Sequence, residues 1–251
     1  MSVLRSLLFL LLMVVFTPIY ITGLLCLFWL PLWHRHLLSR PWVRVTLWLV
    51  EHVLGIGYRV VGAENIPPGA CIVLCKHQSA WETLALQKIF LGAVFVMKRE
   101  LHWIPFFGWG LALNPMIAID RAAGKDALRQ VTEQGTQRLQ AGYRVVVFPE
   151  GTRVAPGGKR RYKPGGAMLA VKSGFPVVPV ALNSGEVWGR NALFKQPGCV
   201  TVHIGPPIDP AGLAAEEVLH RVEAWIEGEM RIISPDLYHE ENSPATTRAA
   251  A

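Results

Sequence analysis

The sequence predicts an α/β domain with a largely parallel mixed sheet flanked by helices, preceded by an N-terminal membrane-embedded helical segment. Three observations carry this. No charged residue lies between Arg5 and His34, across 6-SLLFLLLMVVFTPIYITGLLCLFWLPLW-33, and that run exceeds the ~20 residues a helix needs to cross hydrocarbon. Beyond residue 57, short β-rich runs alternate with helical patterns. Those runs are apolar throughout, as strands covered on both faces are. The 251 residues, 51% hydrophobic and 17% charged, suffice for one domain with a sizeable core. The expected division is 1–57 for the membrane-anchoring helices, 58–235 for the α/β domain and 236–251 for a disordered tail.

Taken in order, the apolar run is too long for a secretory signal, whose apolar region is about 7–15 residues. It continues into the bulky 28-FWLPLW-33, an aromatic group suited to a membrane interface. Pro18 and Pro31 leave two arrangements open, one kinked span or a pair of shorter embedded helices. In 40–57, Trp42, Val45, Leu49 and Val53 recur at helical spacing, with Arg44 and Glu51 among the polar positions. That pattern fits a helix at a membrane surface and equally one packed on the core. His34, Arg35, His36, Arg40 and Arg44 outweigh the single Arg5 before the run, which places the following domain on the cytoplasmic face, at the inner membrane in a bacterium. Strands are expected at 58–62, 70–75, 93–97, 116–119, 143–148, 177–182 and 199–204, and helices at 80–91, 124–140 and 165–173. A last helix is expected from Asp209-Pro210, an N-cap with proline at the first helical position, to about residue 232. The small, polar 242–251 reads as disordered.

The formal net charge of +7 suits nucleic acid, an anionic membrane or an anionic substrate. No aromatic-basic pattern of a nucleic-acid module is present and the basic residues are scattered, which favours membrane and phosphate. The four cysteines, Cys26, Cys71, Cys75 and Cys199, lack disulfide or zinc spacing and read as reduced, inert thiols.

Four blocks carry the candidate chemistry. In 71-CIVLCKHQSAWET-83 a buried-looking strand runs into His77 and then a helix start. Ser79-Ala-Trp-Glu82 has the S-x-x-E pattern of a capping box, with Glu82 bonding back to the Ser79 N–H. The alternative reading makes His77 a general base and Glu82 the carboxylate that orients it. In 145-VVVFPEGTR-153, Gly151 lets backbone amides approach a ligand and Arg153 presents a fork suited to phosphate. Glu150 is placed to pair with Arg153. The basic 159-KRRYKPGGAM-168 leads through Lys163 into glycines that open a helix, another anion-friendly arrangement. The stretch 98-KRELHWIPFFGWG-110 sets Lys98 and Arg99 beside Phe106, Phe107 and Trp109, which suit either the core or a lipid-facing surface. Last, 178-VPVALNSGE-186 is a strand and polar loop that reads alone as structure.

In this order the blocks resemble the glycerolipid acyltransferase family, typified by 1-acyl-glycerol-3-phosphate (lysophosphatidic acid) acyltransferases. His77 and Glu82 match its histidine followed five positions later by an acid. Lys98, Leu101, Pro105 and Gly108, then Ile119-Asp120-Arg121, match its Lys-x-x-Leu-x-x-x-Pro-x-x-Gly region. Its Phe-Pro-Glu-Gly-Thr-Arg motif is complete at 148–153, and its Val-Pro-Val strand stands at 178–180. The resemblance covers roughly residues 60–205. It departs in two places: Glu82 replaces the usual aspartate, and Lys76 replaces the asparagine usually found before the histidine. A cation at 76 is expected to favour a neutral, base-competent imidazole.

The resemblance implies transfer of a fatty acyl group from acyl-CoA or acyl-carrier protein to the sn-2 hydroxyl of a lysophospholipid, forming phosphatidic acid at a lipid bilayer. His77 would be the base and Glu82 its partner, and backbone amides at the helix start would hold the oxyanion. Lys98 and Arg153 would hold the acceptor phosphate, with Glu150, Gly151, Thr152 and Lys163 shaping that site. No metal and no cofactor beyond the acyl co-substrate is expected, and no nucleic-acid partner. Two alternatives stay open: a different acceptor, such as glycerol-3-phosphate, another lysophospholipid or a lyso-aminolipid, and a non-catalytic lipid-binding protein.

Overall fold

The computed structural model describes residues 1–120 and 122–239. Arg121 and residues 240–251, with the greater part of the expected tail, lie outside the described residues. Two N-terminal helices, α1 (Ser2–Leu25) and α2 (Leu32–His52), precede the sheet. Pro31 stands at the N-cap of α2, where its fixed φ and missing N–H are tolerated. Of the two arrangements the prolines left open, the apolar run forms one long helix with Pro18 inside it, and Pro31 opens the next, which carries Pro41.

Seven strands follow: β1 (Ile56–Val61), β2 (Ile72–Cys75), β3 (Ala93–Lys98), β4 (Ile117–Ile119), β5 (Arg144–Val147), β6 (Val177–Leu182) and β7 (Gly198–Ile204). Their order is β1-β7-β6-β2-β5-β3-β4. Every pairing is parallel except β6 with β7. Helices α3 (Trp81–Ile89), α4 (Phe107–Ala112), α5 (Lys125–Gln140), α6 (Gly165–Ser173), α7 (Ser184–Val187) and α8 (Ala215–Ile233) fill the connections. This is the predicted mixed, largely parallel sheet.

The two-residue period of a strand sorts the core. Cys71, Val73, Cys75, Phe95, Val146, Val178 and Val180 pack on one face with α2 and α3. Ile72, Leu74, Val94, Val96, Val145 and Val147 pack on the other with α5, α6 and α8. Both faces are covered, which explains why these strands read as unbroken apolar runs.

Three expectations need correction. Helix α2 sinks Val43, Leu47 and Val50 into the same core as the strands. The buried stripe is shifted from the expected one, since Val45 and Trp48 point outward; His36 is also buried, bonded through Nδ1 to Asn114 Oδ1 at 3.0 Å. The last helix starts at Ala215 rather than at Asp209. Asp209 Oδ1 instead accepts the Ala211 N–H of a preceding turn, and Gly212, at φ 71°, takes the left-handed conformation that breaks the helix there. The ordered chain also extends past residue 236, because Tyr238 is buried and its hydroxyl accepts a bond from Gln78 Nε2 at 3.0 Å.

Helix α4 and the short 3₁₀ turn Arg99–Trp103 were not foreseen. Gly108 explains its place in the pattern: a Cβ there would lie 2.4 Å from the His102 carbonyl oxygen. Gly110 lets α4 approach α1, since its Cβ would lie 2.6 Å from Ile21 Cδ1. Trp103, Ile104, Phe107 and Trp109 remain exposed, as do Leu4, Leu7, Leu8, Leu11, Val14, Val15 and Ile19 along α1, and Trp29 at its end. Phe106 packs against Ile21, Leu24 and Leu113.

Candidate active site

Parallel strands aim their carboxyl ends at one edge of a sheet, where functional groups of α/β domains gather. Here β2 ends one residue before Lys76-His77, β3 ends on Lys98, β5 runs into Phe148–Arg153 and β6 into Asn183-Ser184. His77, Lys98, Thr152 and Arg153 line one cleft of about 260 Å³, together with Phe148, Arg190 and Asn191. The first and third sequence motifs thus meet although some seventy residues separate them.

They are locked together by backbone. The His77 N–H donates to Glu150 Oε2 at 2.8 Å, and the Val154 N–H donates to the His77 carbonyl at 2.8 Å. The imidazole stacks on Phe148, with ring centroids 3.8 Å apart and planes at 15°. Aromatic packing of this kind fixes ring orientation.

Glu82 is fully buried and works first as a clamp. Its Oε1 accepts the Gln78 N–H at 2.6 Å, the Ser79 N–H at 2.8 Å and the Ser184 hydroxyl at 2.9 Å; its Oε2 accepts the Ser79 N–H at 3.0 Å. The capping-box contact to Ser79 is present, but Ser79 Oγ accepts from Trp81 N–H, two residues on, at 2.9 Å. His77 Nδ1 lies 4.0 Å from Glu82 Oε1. That is beyond a hydrogen bond and within ion-pair reach. Burial pushes the Glu82 carboxyl up to about 7, against the lowering effect of the bonds from Gln78, Ser79 and Ser184.

Several expected roles change. Glu150 was placed at the phosphate site beside Arg153. It is fully buried, with one oxygen 2.9 Å from Lys76 Nζ and the other on the His77 N–H, so it faces inward and cannot meet a headgroup. Lys76 was expected to act as a free cation on the histidine. Its ammonium instead points into the core, paired with Glu150 and Glu227. The helix-start amides expected to hold the oxyanion are engaged as well, since those of residues 77, 78, 79 and 81 all bond within the protein. Gly151 takes φ 71°, and a Cβ there would lie 2.9 Å from Lys163 Cε. Lys163 therefore reaches Gly151, but both border a second cavity beside α5 and α6 rather than the His77 cleft.

Sequence reasoning missed Ser184, Arg190 and Phe148. Ser184 lies in the loop read as mere structure, and only the fold brings it to Glu82. Arg190, whose Nη1 donates to the Arg153 carbonyl at 3.3 Å, adds a third cation to the cleft. Among the described residues no cluster of histidines, cysteines and carboxylates is arranged to hold a metal. Cys75 is buried, its thiol held well above its ordinary range by burial and by Glu82 and Glu150. A thiol so protonated makes a poor nucleophile. Cys75→Ala is therefore expected to keep turnover within about twofold of the parent; an acyl-enzyme trapped on Cys75 would contradict this.

A third, apolar cavity of about 200 Å³ shares Thr83, Phe95, Met97, Leu101 and Arg153 with the His77 cleft. It runs between Tyr20, Ile21 and Leu24 of α1, Trp42 and Val43 of α2, and Phe107 and Leu111 of α4. A base-type histidine, cations and an adjoining apolar cavity define a site for acyl transfer, and the family model described as Acyltransferase matches residues 57–183. The 1-acyl-sn-glycerol-3-phosphate acyltransferase of Pseudomonas aeruginosa is 46% identical over 197 residues, covering 77% of either chain. The alpha form of that enzyme from Homo sapiens is 32% identical over 180 residues, 70% of this chain and 63% of that protein. The crystal structure of the 1-acyl-sn-glycerophosphate (LPA) acyltransferase PlsC from Thermotoga maritima superposes with a TM-score of 0.77 at 25% identity, covering 93% of this chain and 97% of that one. The chain belongs to the lysophosphatidic acid acyltransferase family and is an O-acyltransferase.

Proposed function

We propose that the protein transfers a fatty acyl group from acyl-CoA or acyl-carrier protein to the sn-2 hydroxyl of 1-acyl-glycerol-3-phosphate, forming phosphatidic acid. The observation that carries this is one cleft holding His77, Lys98 and Arg153, adjoining an apolar cavity that shares part of its lining. His77 Nδ1 is the ring nitrogen turned toward Glu82, and in this reading Nε2 meets the substrate. Nε2 takes the proton of the acceptor hydroxyl as its oxygen bonds to the thioester carbonyl carbon. The carbon–sulfur bond then breaks, and the imidazolium returns the proton to the leaving thiolate. Glu82 lowers the energy of the imidazolium between these steps. Lys98 and Arg153, with Arg190 beside them, hold the phosphate and so bring the hydroxyl to the base. The apolar cavity takes an acyl chain.

The N-terminal pair meets the membrane. Helix α1 is apolar enough to cross a bilayer, yet both its ends touch the domain. Ser6 Oγ accepts the Lys195 N–H at 2.9 Å near one end, and Ile21 and Leu24 pack on Leu113 near the other. A helix held along its length lies against the domain, so its exposed leucines, Trp29 and the aromatics of 103–109 enter one leaflet together. Arg35, Arg40 and Arg44 of α2 support a cytoplasmic leaflet, the side on which cations beside apolar segments gather.

Arg153→Ala is expected to raise the KM for 1-acyl-glycerol-3-phosphate by about 10–100-fold, the usual cost of a lost charged contact, with a smaller loss in kcat. Steady-state kinetics over a range of acceptor concentrations checks this, and an unchanged KM removes Arg153 from the phosphate site.

A further inference from the structure

Lys76 is 0% exposed, although it stands beside the substrate cleft. Its ammonium lies 2.9 Å from Glu150 Oε1 and 2.8 Å from Glu227 Oε1 of α8, and 5.6 Å from the centre of the Tyr238 ring. The Tyr162 hydroxyl donates to the same Glu227 oxygen at 2.9 Å. A buried ammonium is unfavourable unless it is paired and hydrogen-bonded, and this one is held by residues from three distant parts of the chain. The family pattern usually has a neutral asparagine at this position. The lysine here is paired with both carboxylates, which leaves Glu150 with a charged neighbour on one oxygen and the His77 N–H on the other.

We propose that Lys76, held by Glu227, is a positioning residue for His77: its ammonium keeps the Glu150 carboxylate ionised and oriented to accept the His77 backbone N–H. The inference rests on the reading of His77 as the base. The groups that act on Glu150 are Lys76 and His77 at the end of β2, Tyr162 before α6, and Glu227 of α8. Tyr238 faces the ammonium from the C-terminal segment. Burial, the largest influence, together with Glu227 holds the Glu150 carboxyl above its ordinary range, and Lys76 and the His77 N–H pull it back toward the carboxylate. Without the ammonium Glu150 takes up a proton, and a charge-assisted bond becomes a weaker neutral one. The strand end that carries the imidazole then loosens, which lowers kcat more than it alters acceptor binding.

The test uses the full chain in detergent, with Lys76→Met and Glu227→Gln. Two things are read: the kcat and KM split, and the chemical shift of the His77 backbone amide proton from about pH 5 to about pH 9. In Lys76→Met the expected results are about a tenfold loss of kcat, a KM within about twofold, and an amide proton displaced upfield. Glu227→Gln keeps the ammonium and removes a repelling carboxylate, so its amide proton should stay downfield to lower pH than in the parent. If Lys76→Met does not fold, Lys76→Gln, which is polar but uncharged, is read in its place with the same expected results. An amide proton that follows the parent at every pH in the folded variants overturns the proposal. So does an amide that moves while kcat in folded Lys76→Met holds. Full turnover in His77→Ala would instead overturn the catalytic reading, and the amide titration would still report whether Lys76 governs Glu150.

Discussion

Replacing His77 by alanine is expected to lower kcat by about 10²–10⁴-fold, the range a positioned general base supplies, with little change in the acceptor KM. The imidazole packs on one face of Phe148, while the backbone of residue 77 is held by Glu150 and Val154. Alanine keeps both backbone bonds, so the fold and the phosphate contacts should survive. Rates measured at saturating thioester and acceptor, beside a thermal melt, separate lost chemistry from lost structure. A variant that melts like the parent and turns over at the parental rate would remove His77 from the mechanism.

Glu82→Gln is the second large effect, and it divides the two roles of one side chain. Glutamine is isosteric and keeps one acceptor oxygen. Placed at Oε1, that oxygen still receives Gln78 N–H, Ser79 N–H and the Ser184 hydroxyl. Only the weaker second contact of Ser79, at 3.0 Å, is lost. The charge is lost entirely. A unit charge 4.0 Å from His77 Nδ1 is worth up to ~4 kcal/mol at an effective dielectric of ~20. A loss of about 10²-fold in kcat, or ~2.7 kcal/mol, is the expected outcome. Glu82→Ala should lose activity and also leave two buried N–H groups unbonded, at about 1–3 kcal/mol each.

The same substitution has a pH signature. Because the Glu82 carboxyl is pushed up to about 7, the folded protein holds a proton there that the unfolded chain has released. Its contribution to stability is present at low pH and is lost as pH rises through about 7. Activity moves the opposite way, since only the ionised carboxylate supports an imidazolium. The kcat/KM of the parent should rise through about pH 7, and the gap between parent and Glu82→Gln should close below it. A gap that stays constant with pH would mean that Glu82 acts only as a clamp.

Much of this was legible in the sequence for a physical reason. Strands covered on both faces leave apolar runs that bracket themselves, and His77, Lys98 and Arg153 sit just beyond such runs, where the carboxyl ends of parallel strands must lie. What stayed hidden depends on contacts between distant positions. Glu150 read as a partner for Arg153 because four residues cannot show which side of a turn faces the core. Lys76 read as a free cation because Glu227 is 151 positions away. Ser184 read as loop because its bond to Glu82 spans 102 positions. Helix α4 was missed because six residues carry too little periodicity, and the reason for Gly108 and Gly110 emerges only with the neighbouring backbone and Ile21 in place.

The central claim is acyl transfer to a phosphate-bearing lysolipid in the His77 cleft. It is tested most directly by incubating the intact protein with an acyl thioester and, in parallel, 1-acyl-glycerol-3-phosphate or the same monoacylglycerol without phosphate. Free thiol and diacyl product are then measured together. The account predicts equal moles of thiol and phosphatidic acid with the phosphorylated acceptor, and transfer lower by about 10-fold or more without the phosphate. Thiol release without diacyl product, or equal transfer to both acceptors, would contradict it.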